Sequence, residues 1–287
     1  MTDVLFLGSD ELADLATPAG YVESVRAGYE SHGNRGAADP RTKLTSEDPP
    51  GMHTGYLAVL PEVGAMGGYT YAAGFGDADA HFVLPLFEAD SGRLVALLDG
   101  ASMNPFKTGA AGAVAVDALA RPDATTCAVV GSGAQARGQL RATATVRAFD
   151  SVDVFSPTPD HRRSFAKEFD ARLDADVSAV GSAAEALSGA DVVVTATRAE
   201  EPVFSDADLP DGAHVTAMGQ YDRDKRELPP RRSLARRTSP TSGSGPSRTP
   251  GRSWPPGRPV SSTTRAFTRN SGKSWSATGR GGPRETR

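Results

Sequence analysis

The chain has 287 residues, 38% of them hydrophobic and 23% charged, with a formal net charge of -4, one cysteine and five histidines. That length holds two domains, and the lone Cys127 excludes a disulfide framework or a cysteine metal site and points to a reducing, cytoplasmic setting. The apolar run at residues 4–7 is too short for a signal peptide or a membrane span, and His32, His53, His81, His161 and His214 lack metal-ligand spacing.

In chain order, residues 4–7 read as a first strand. Thr17-Pro18 is an N-cap followed by proline at the first helical position, and Val22, Val25, Ala27 and Tyr29 carry a helix to about His32. Residues 33–51 are polar and rich in Gly and Pro, the pattern of a loop. Strands follow near 56–60, 69–75, 82–87 and 94–98, with Asp90-Ser91-Gly92 as the turn between the last two. An alanine-rich helix is predicted over 103–119, where Gly109 and Gly112 cost stability but permit close packing. Arg121-Pro122-Asp123 ends it. The domain boundary is placed there, giving a first α+β domain for substrate binding and dimerisation (1–121) and a second over 122–228.

The second part alternates strand and helix: strand 128–130, helix 134–147, strand 152–155, helix 160–169, a weak strand near Val177, helix 183–187 and strands 192–196 and 214–218. Short buried strands alternating with helices mean an α/β domain of Rossmann type, a parallel sheet with helices on both faces.

The stretch the chain is organised around is TTCAVVGSGAQARGQL, residues 125–140. A short apolar run, then Gly131 and Gly133, then a helix start is the arrangement that cradles a dinucleotide pyrophosphate. Gly131 lets the chain turn sharply, and Gly133 has no Cβ to block approach to the phosphates. The first free N–H groups of the helix then face the anion.

The ribose-binding residue is expected at the end of the second strand. That end reads Phe155-Ser156-Pro157-Thr158, with no carboxylate. Hydroxyls on Ser156 and Thr158 with Arg162 nearby suit a 2′-phosphate, so NADP(H) is the expected cofactor ahead of NAD(H); a plain solvated helix start is the other reading. Thr195 and Thr197, closing a later strand, are expected along the same crevice. Arg41, in a polar loop, has a fork that fits a substrate carboxylate, although a lone loop arginine is as well explained by solvation. Lys107, opening the helix before the boundary, would hold a phosphate or carboxylate. No nucleophile elbow or paired-carboxylate pattern occurs.

The net charge hides two unlike halves. After residue 228 there are 13 Lys and Arg against one acid, Glu285, which leaves 18 basic and 34 acidic residues before it. The acidic, lysine-poor part suits work in high salt, where self-repulsion is screened. The tail, 229–287, is an Arg/Ser/Pro/Gly mixture with no hydrophobic period and is expected to be disordered. A basic arm for nucleic acid is one reading. The favoured one is GC-rich DNA read out of frame, because codons for residues 266–278, shifted by two nucleotides, encode an acidic amphipathic segment in the style of 1–228. The nucleotide sequence around codons 225–235 decides between them.

Over residues 1–228 the sequence resembles the ornithine cyclodeaminase/mu-crystallin family. The resemblance rests on LLDGASMNPFKTGAAGA (97–113), LARPDATTCAVVGSGAQAR (119–137), ALSGADVVVTAT (186–197) and GAHVTAMGQYDRDKREL (212–228). It implies that Gly131, Gly133, Ala134 and Gln135 hold the pyrophosphate, that Arg41 grips an amino-acid carboxylate, and that Thr216, Ala217, Met218 and Lys225 line the cofactor. Lys107 stands where the family has an arginine, keeping the charge but not the fork. The family's substrate lysine falls on Thr70. Its catalytic aspartate falls on Tyr221, with Asp222 one place later. The implied chemistry is hydride transfer at a carbon bearing nitrogen: an amino-acid dehydrogenase or ketimine reductase, with ornithine cyclodeaminase or an inactive cofactor binder as the other readings. The expected partners are a small amino or imino acid and a second copy of the chain; no nucleic acid and no membrane are expected. An out-of-frame tail would cost the helices that return to the first domain in this family.

Overall fold

The computed structural model describes residues 4–13, 15–75, 81–220, 224–230, 265–270 and 274–277. Two sheets form. In the first, the strands run β1(Leu5–Leu7), β7(Leu94–Asp99), β6(His81–Glu88), β5(Ala65–Ala73), β4(Pro50–Leu60), β2(Ala37–Ala38), with β3(Thr42–Glu47) also paired to β4. All neighbours are antiparallel except β1 with β7. Helices α1(Ser9–Ala13) and α2(Pro18–Asn34) and the 3-10 turn at Pro61–Val63 complete this half. Thr17 caps α2 as expected: its Oγ1 accepts from the Gly20 N–H at 3.1 Å. Gly92 has φ +71 in the turn between β6 and β7.

Residues 33–51, read as a loop, instead carry β2, β3 and the first turn of the β3–β4 hairpin. The reason lies in β3: every residue of it is exposed. A strand with no buried face has no need of alternation, so the periodicity that marks a strand is absent. His81 is exposed at the start of β6.

The second sheet runs β10(Asp176–Ala179), β9(Ser151–Phe155), β8(Thr126–Val130), β11(Val192–Thr195), β12(His214–Ala217), β13(Arg265–Asn270), β14(Ser274–Ala277). The first five are parallel. The last two, within the stretch expected to lack order, add to the β12 edge antiparallel.

Alternation splits the core. Val129, Val152, Val154, Val192 and Val194 face one layer with Leu140 of α4(Ala134–Thr143) and Phe165 and Phe169 of α5(Pro159–Asp170). Ala128, Val130, Val193 and Val215 face the other, with Ala186 and Leu187 of α6(Ala183–Leu187) and with Phe204 and Leu209, which flank the 3-10 turn at Asp206–Asp208. Both faces are covered, which is why β8 and β11 at the centre read as nearly unbroken apolar runs. Each such valine or phenylalanine withdrawn from water contributes roughly 1.5–3 kcal/mol.

Helix α3(Asn104–Leu119) joins the halves. Val116 and the following Ala120 belong to the same core as β8 and β9. A Cβ on Gly109 would overlap the Gly138 carbonyl of α4, and one on Gly112 would overlap the Gln139 side chain. The two helix glycines are therefore used for close packing, as their spacing predicts. Helix α4 stops at Thr143 rather than 147 because Thr145 Oγ1 turns back to the Ala142 carbonyl at 2.7 Å.

Candidate functional site

After β8 the chain enters α4 on one face of the second sheet, whereas after β11 it passes to Phe204 and Leu209 on the other. Neighbouring strands whose continuations diverge leave a crevice at their carboxyl ends. Gly131 sits in it with φ +122. Its N–H donates to the Phe155 carbonyl at 2.8 Å, and Ala196 N–H donates to the Val130 carbonyl at 2.9 Å. A Cβ at 131 would overlap the Ala196 carbonyl, so the sharp turn demands glycine.

Gly133 differs. It is the N-cap of α4 with ordinary extended dihedrals (φ -81, ψ -175) and no side chain capping the helix. A Cβ built there meets nothing within 4 Å. Ala134 is exposed, and Gln135 keeps an enclosed Oε1 with no hydrogen-bond partner among the described residues. The first turn of α4 thus presents uncapped N–H groups to open space, which fits a diphosphate. Arg137 braces the turn from behind by donating to the Ser132 carbonyl and to Glu168.

Beside this turn, Ser132 Oγ donates to Ser156 Oγ at 2.9 Å. Arg162 Nη1 donates to the Ser156 carbonyl at 2.8 Å, with its guanidinium 5.6 Å from the Phe155 ring centre. Thr158 is the exposed N-cap of α5 and its hydroxyl makes no cap bond. The next acid along the chain, Asp160, is paired with Arg163 at 2.9 Å. Arg162 and the exposed Thr158 hydroxyl thus stand at the strand end, whereas Ser156 is buried at 5% exposure with its hydroxyl bonded to Ser132.

Along the rest of the rim the expectations divide. Thr197 and Met218 stand half-buried there, with Met218 N–H donating to the Thr195 carbonyl at 2.8 Å. Thr195 and Thr216 do not line an open crevice: both are fully buried. Thr216 Oγ1 lies 3.1 Å from His214 Nε2, and burial with the nearby Arg147 charge lowers the His214 pKa to about 4, so that ring is a neutral core group. Strand alternation explains Thr216, since residues 214 and 216 point the same way into the packed layer, while Thr195, level with Ala217, is buried on the other face. Lys225 Nζ pairs with Glu200 Oε1 at 2.5 Å. Asp222 and Tyr221 lie outside the described residues.

The sequence reading passed over Glu227. This acid is only 3% exposed. Its Oε1 accepts from the Thr197 N–H and its Oε2 from the Gly219 N–H, both at 2.6 Å. Only its place two residues after Lys225, beyond the last strand, was visible beforehand.

In the first half, Tyr69 and Tyr71 of β5 project from one face, beside Tyr56 of β4 and Phe82 of β6. Ring centres lie 5.4 Å apart for Tyr56–Tyr69, 5.3 Å for Tyr69–Phe82 and 4.7 Å for Tyr71–Phe82. Arg41 Nη1 reaches the Tyr71 hydroxyl at 3.3 Å, and Lys107 Nζ sits 4.6 Å from the Tyr69 ring centre. Arg41 and Lys107, singled out separately in the sequence, are thus joined by one aromatic cluster. Burial lowers the Lys107 pKa to about 8, and burial raises that of Tyr56 to about 12, with Tyr71 adding to the rise. Thr70 is on the opposite face of β5, where its Oγ1 donates to the Thr54 carbonyl at 3.1 Å and lies 2.7 Å from His53 Nε2. It therefore does not join Arg41 and Lys107. The first turns of α3, which carry Lys107, pack beside α4 through Gln139 Nε2 donating to the Thr108 carbonyl at 2.9 Å.

Among the described residues no group of acids, histidines or cysteines could hold a metal ion, and no helix is long and apolar enough to cross a membrane. Comparison with known proteins gives consistent relatives. The chain is 34% identical to the Delta(1)-pyrroline-2-carboxylate reductase of Bacillus cereus over 147 residues, 51% of this chain and 45% of that protein. The chain thus spans about half the length of the first such relatives. It is 28% identical over 236 residues to the ketimine reductase mu-crystallin of Rattus norvegicus, 78% of this chain and 73% of the relative. The structure of Thermococcus litoralis Delta(1)-pyrroline-2-carboxylate reductase in complex with NADH and L-proline matches with a TM-score of 0.72 and 29% identity, covering 79% of this chain and 72% of that one. With a family model matching residues 21–238, the chain belongs to the ornithine cyclodeaminase/mu-crystallin family.

Proposed function

We propose that the protein is a nicotinamide-dependent oxidoreductase that reduces a small ketimine acid to the amino acid, or runs that reaction backward. The observation that carries this is the open, uncapped turn at Gly133, with α3 and its half-buried Lys107 packed on the same helix α4. A bound nicotinamide cofactor would supply the hydride. Arg41 takes the substrate carboxylate through its fork, the Tyr56–Tyr69–Tyr71–Phe82 cluster offers a flat apolar wall beside it, and Lys107 holds a proton near the reacting nitrogen. Ornithine cyclisation is the second reading. Thr70 and Tyr221, standing where the resemblance places the substrate lysine and the catalytic aspartate, argue against it. We divide the chain at residue 121, with substrate groups before it and cofactor groups after it.

The test is oxidation of reduced cofactor by Delta(1)-pyrroline-2-carboxylate, the substrate in the name of the relatives, compared with ammonia release from ornithine. Turnover of the ketimine without ammonia release from ornithine is expected; the reverse would replace this reading by the second. NADPH is expected to have the lower KM, because Arg162 and the hydroxyls of Ser156 and Thr158 stand where a carboxylate would favour NADH. A KM for NADH lower by about tenfold, equal to 1.4 kcal/mol, would reverse that choice.

A homodimer is proposed as well. Leu44 (67%), Leu57 (65%), Val59 (39%) and Val83 (46%) are exposed on one face of the first sheet. Register places all four on the side away from the tyrosines. An apolar sheet face left in water is a docking face. Light scattering is expected to give the dimer mass, and Leu57→Arg to convert it to monomer. The same samples melted in rising KCl test the acidic surface: a melting point that does not climb with salt removes the high-salt expectation.

A further inference from the structure

We propose that Glu227 is a positioning residue for the cofactor, a carboxylate latch that ties together the two loops leaving β11 and β12; this rests on the oxidoreductase reading above. The two N–H groups it accepts from, Thr197 and Gly219, are each the second residue beyond the end of their strand, so the latch lies at one level of the rim. A carboxylate that is 3% exposed is costly to bury, and bonds of 2.6 Å to two backbone N–H groups are the charge-assisted kind that offset such a cost. Gly219 is fitted to it: a Cβ there would overlap the backbone of Thr197 and press on the Glu227 carboxylate.

The latch reaches the phosphate turn in one step. Thr197 follows Ala196, whose carbonyl is the surface against which Gly131 turns. Fixing the Thr197 N–H therefore fixes the wall behind Gly131 and, with it, the position of the α4 N-terminus. The backbone of the same segment is held independently. Val203 N–H donates to the Glu227 carbonyl at 2.9 Å and Arg226 N–H to the Glu200 carbonyl at 3.1 Å. Removing the carboxylate thus loosens the rim without releasing the segment.

The experiment compares wild type, Glu227→Gln and Glu227→Asp in the full chain. It reads the Kd for NADH and NADPH by fluorescence titration, steady-state KM for cofactor and imino acid, and the melting point. Glu227→Gln is isosteric but turns an NH2 group toward one of the two donors, so cofactor Kd and KM are expected to rise about 10- to 100-fold. The imino-acid KM is expected to move less than about threefold. Glu227→Asp keeps the charge and reaches one donor, giving a partial return of about fivefold to tenfold. A purely structural role would lower the melting point and leave the cofactor KM of the folded protein unchanged; that result overturns the proposal. Loss of folding in both variants overturns it too, since the carboxylate would then be a folding determinant. Wild type that binds neither nucleotide overturns the oxidoreductase reading itself, whereas normal binding in wild type and both variants overturns the latch alone.

Discussion

Gly133→Asp is expected to abolish cofactor binding while leaving the fold at least as stable as before. Position 133 has extended dihedrals that any residue adopts, and a Cβ there meets no atom within 4 Å. Aspartate is also a favoured N-cap, gaining a few tenths of a kcal/mol over glycine by accepting from the second or third helical N–H. That same carboxylate would occupy the seat of the diphosphate and repel it. Two like charges about 4 Å apart near a protein surface cost on the order of 4 kcal/mol, so a weakening of about 100-fold or more is expected. Gly131→Ala should behave differently. Its φ of +122 and the overlap with the Ala196 carbonyl make it destabilising whether or not nucleotide is present. Titration with NADH and NADPH beside a thermal melt separates the two variants. If Gly133→Asp binds either nucleotide within about threefold of wild type, an affinity change of under 0.7 kcal/mol, the phosphates do not sit on this turn.

That contrast shows what the sequence could carry. A local pattern dictated the turn: apolar run, Gly131, Gly133, helix. The pattern itself was legible from residues 125–140 alone, although the Phe155 and Ala196 carbonyls that hold the turn were not. The central parallel strands β8 and β11 were equally legible, because burial on both faces writes itself as nearly unbroken apolar runs. Residues 42–47 were not, since an exposed strand has no buried face to impose a period. Thr195 and Thr216 were misjudged for a related reason. Their place near a strand end was correct, but which way a side chain points depends on register, and register sealed both into the core. Glu227 was invisible because its role depends on two backbone N–H groups from different loops, eight and 30 residues away. Backbone partners leave no trace in side-chain spelling. The family resemblance carried Arg41 and Lys107, which spacing alone left ambiguous. It did not carry the tyrosine cluster that joins them.

Lys107→Met is expected to raise stability and cut turnover together. Burial holds the Lys107 ammonium at a pKa of about 8 in the folded chain, below its ordinary 10.5, through desolvation. Between those two values the unfolded chain keeps a proton that the folded chain has released. Stability therefore rises with pH across that window, and the full penalty is present below it. Methionine keeps the stem packed on Tyr69 and removes the charge, so at neutral pH the variant should gain about 1–2 kcal/mol, discounted for the partial exposure of the site. Catalysis should move the opposite way. If the ammonium is the proton held near the reacting nitrogen, kcat/KM falls as pH rises through about 8, the value for the free enzyme. Methionine should then lower kcat/KM about 100-fold or more and erase that alkaline limb. Arginine, charged at every accessible pH, should retain part of the activity and show no limb near 8. A Lys107→Met enzyme that still loses activity through the same pH, or that turns over within about threefold of wild type, would show that the proton comes from elsewhere. The gain in stability would survive that result, because it depends on the cost of desolvating a charge that no acid among the described residues pairs.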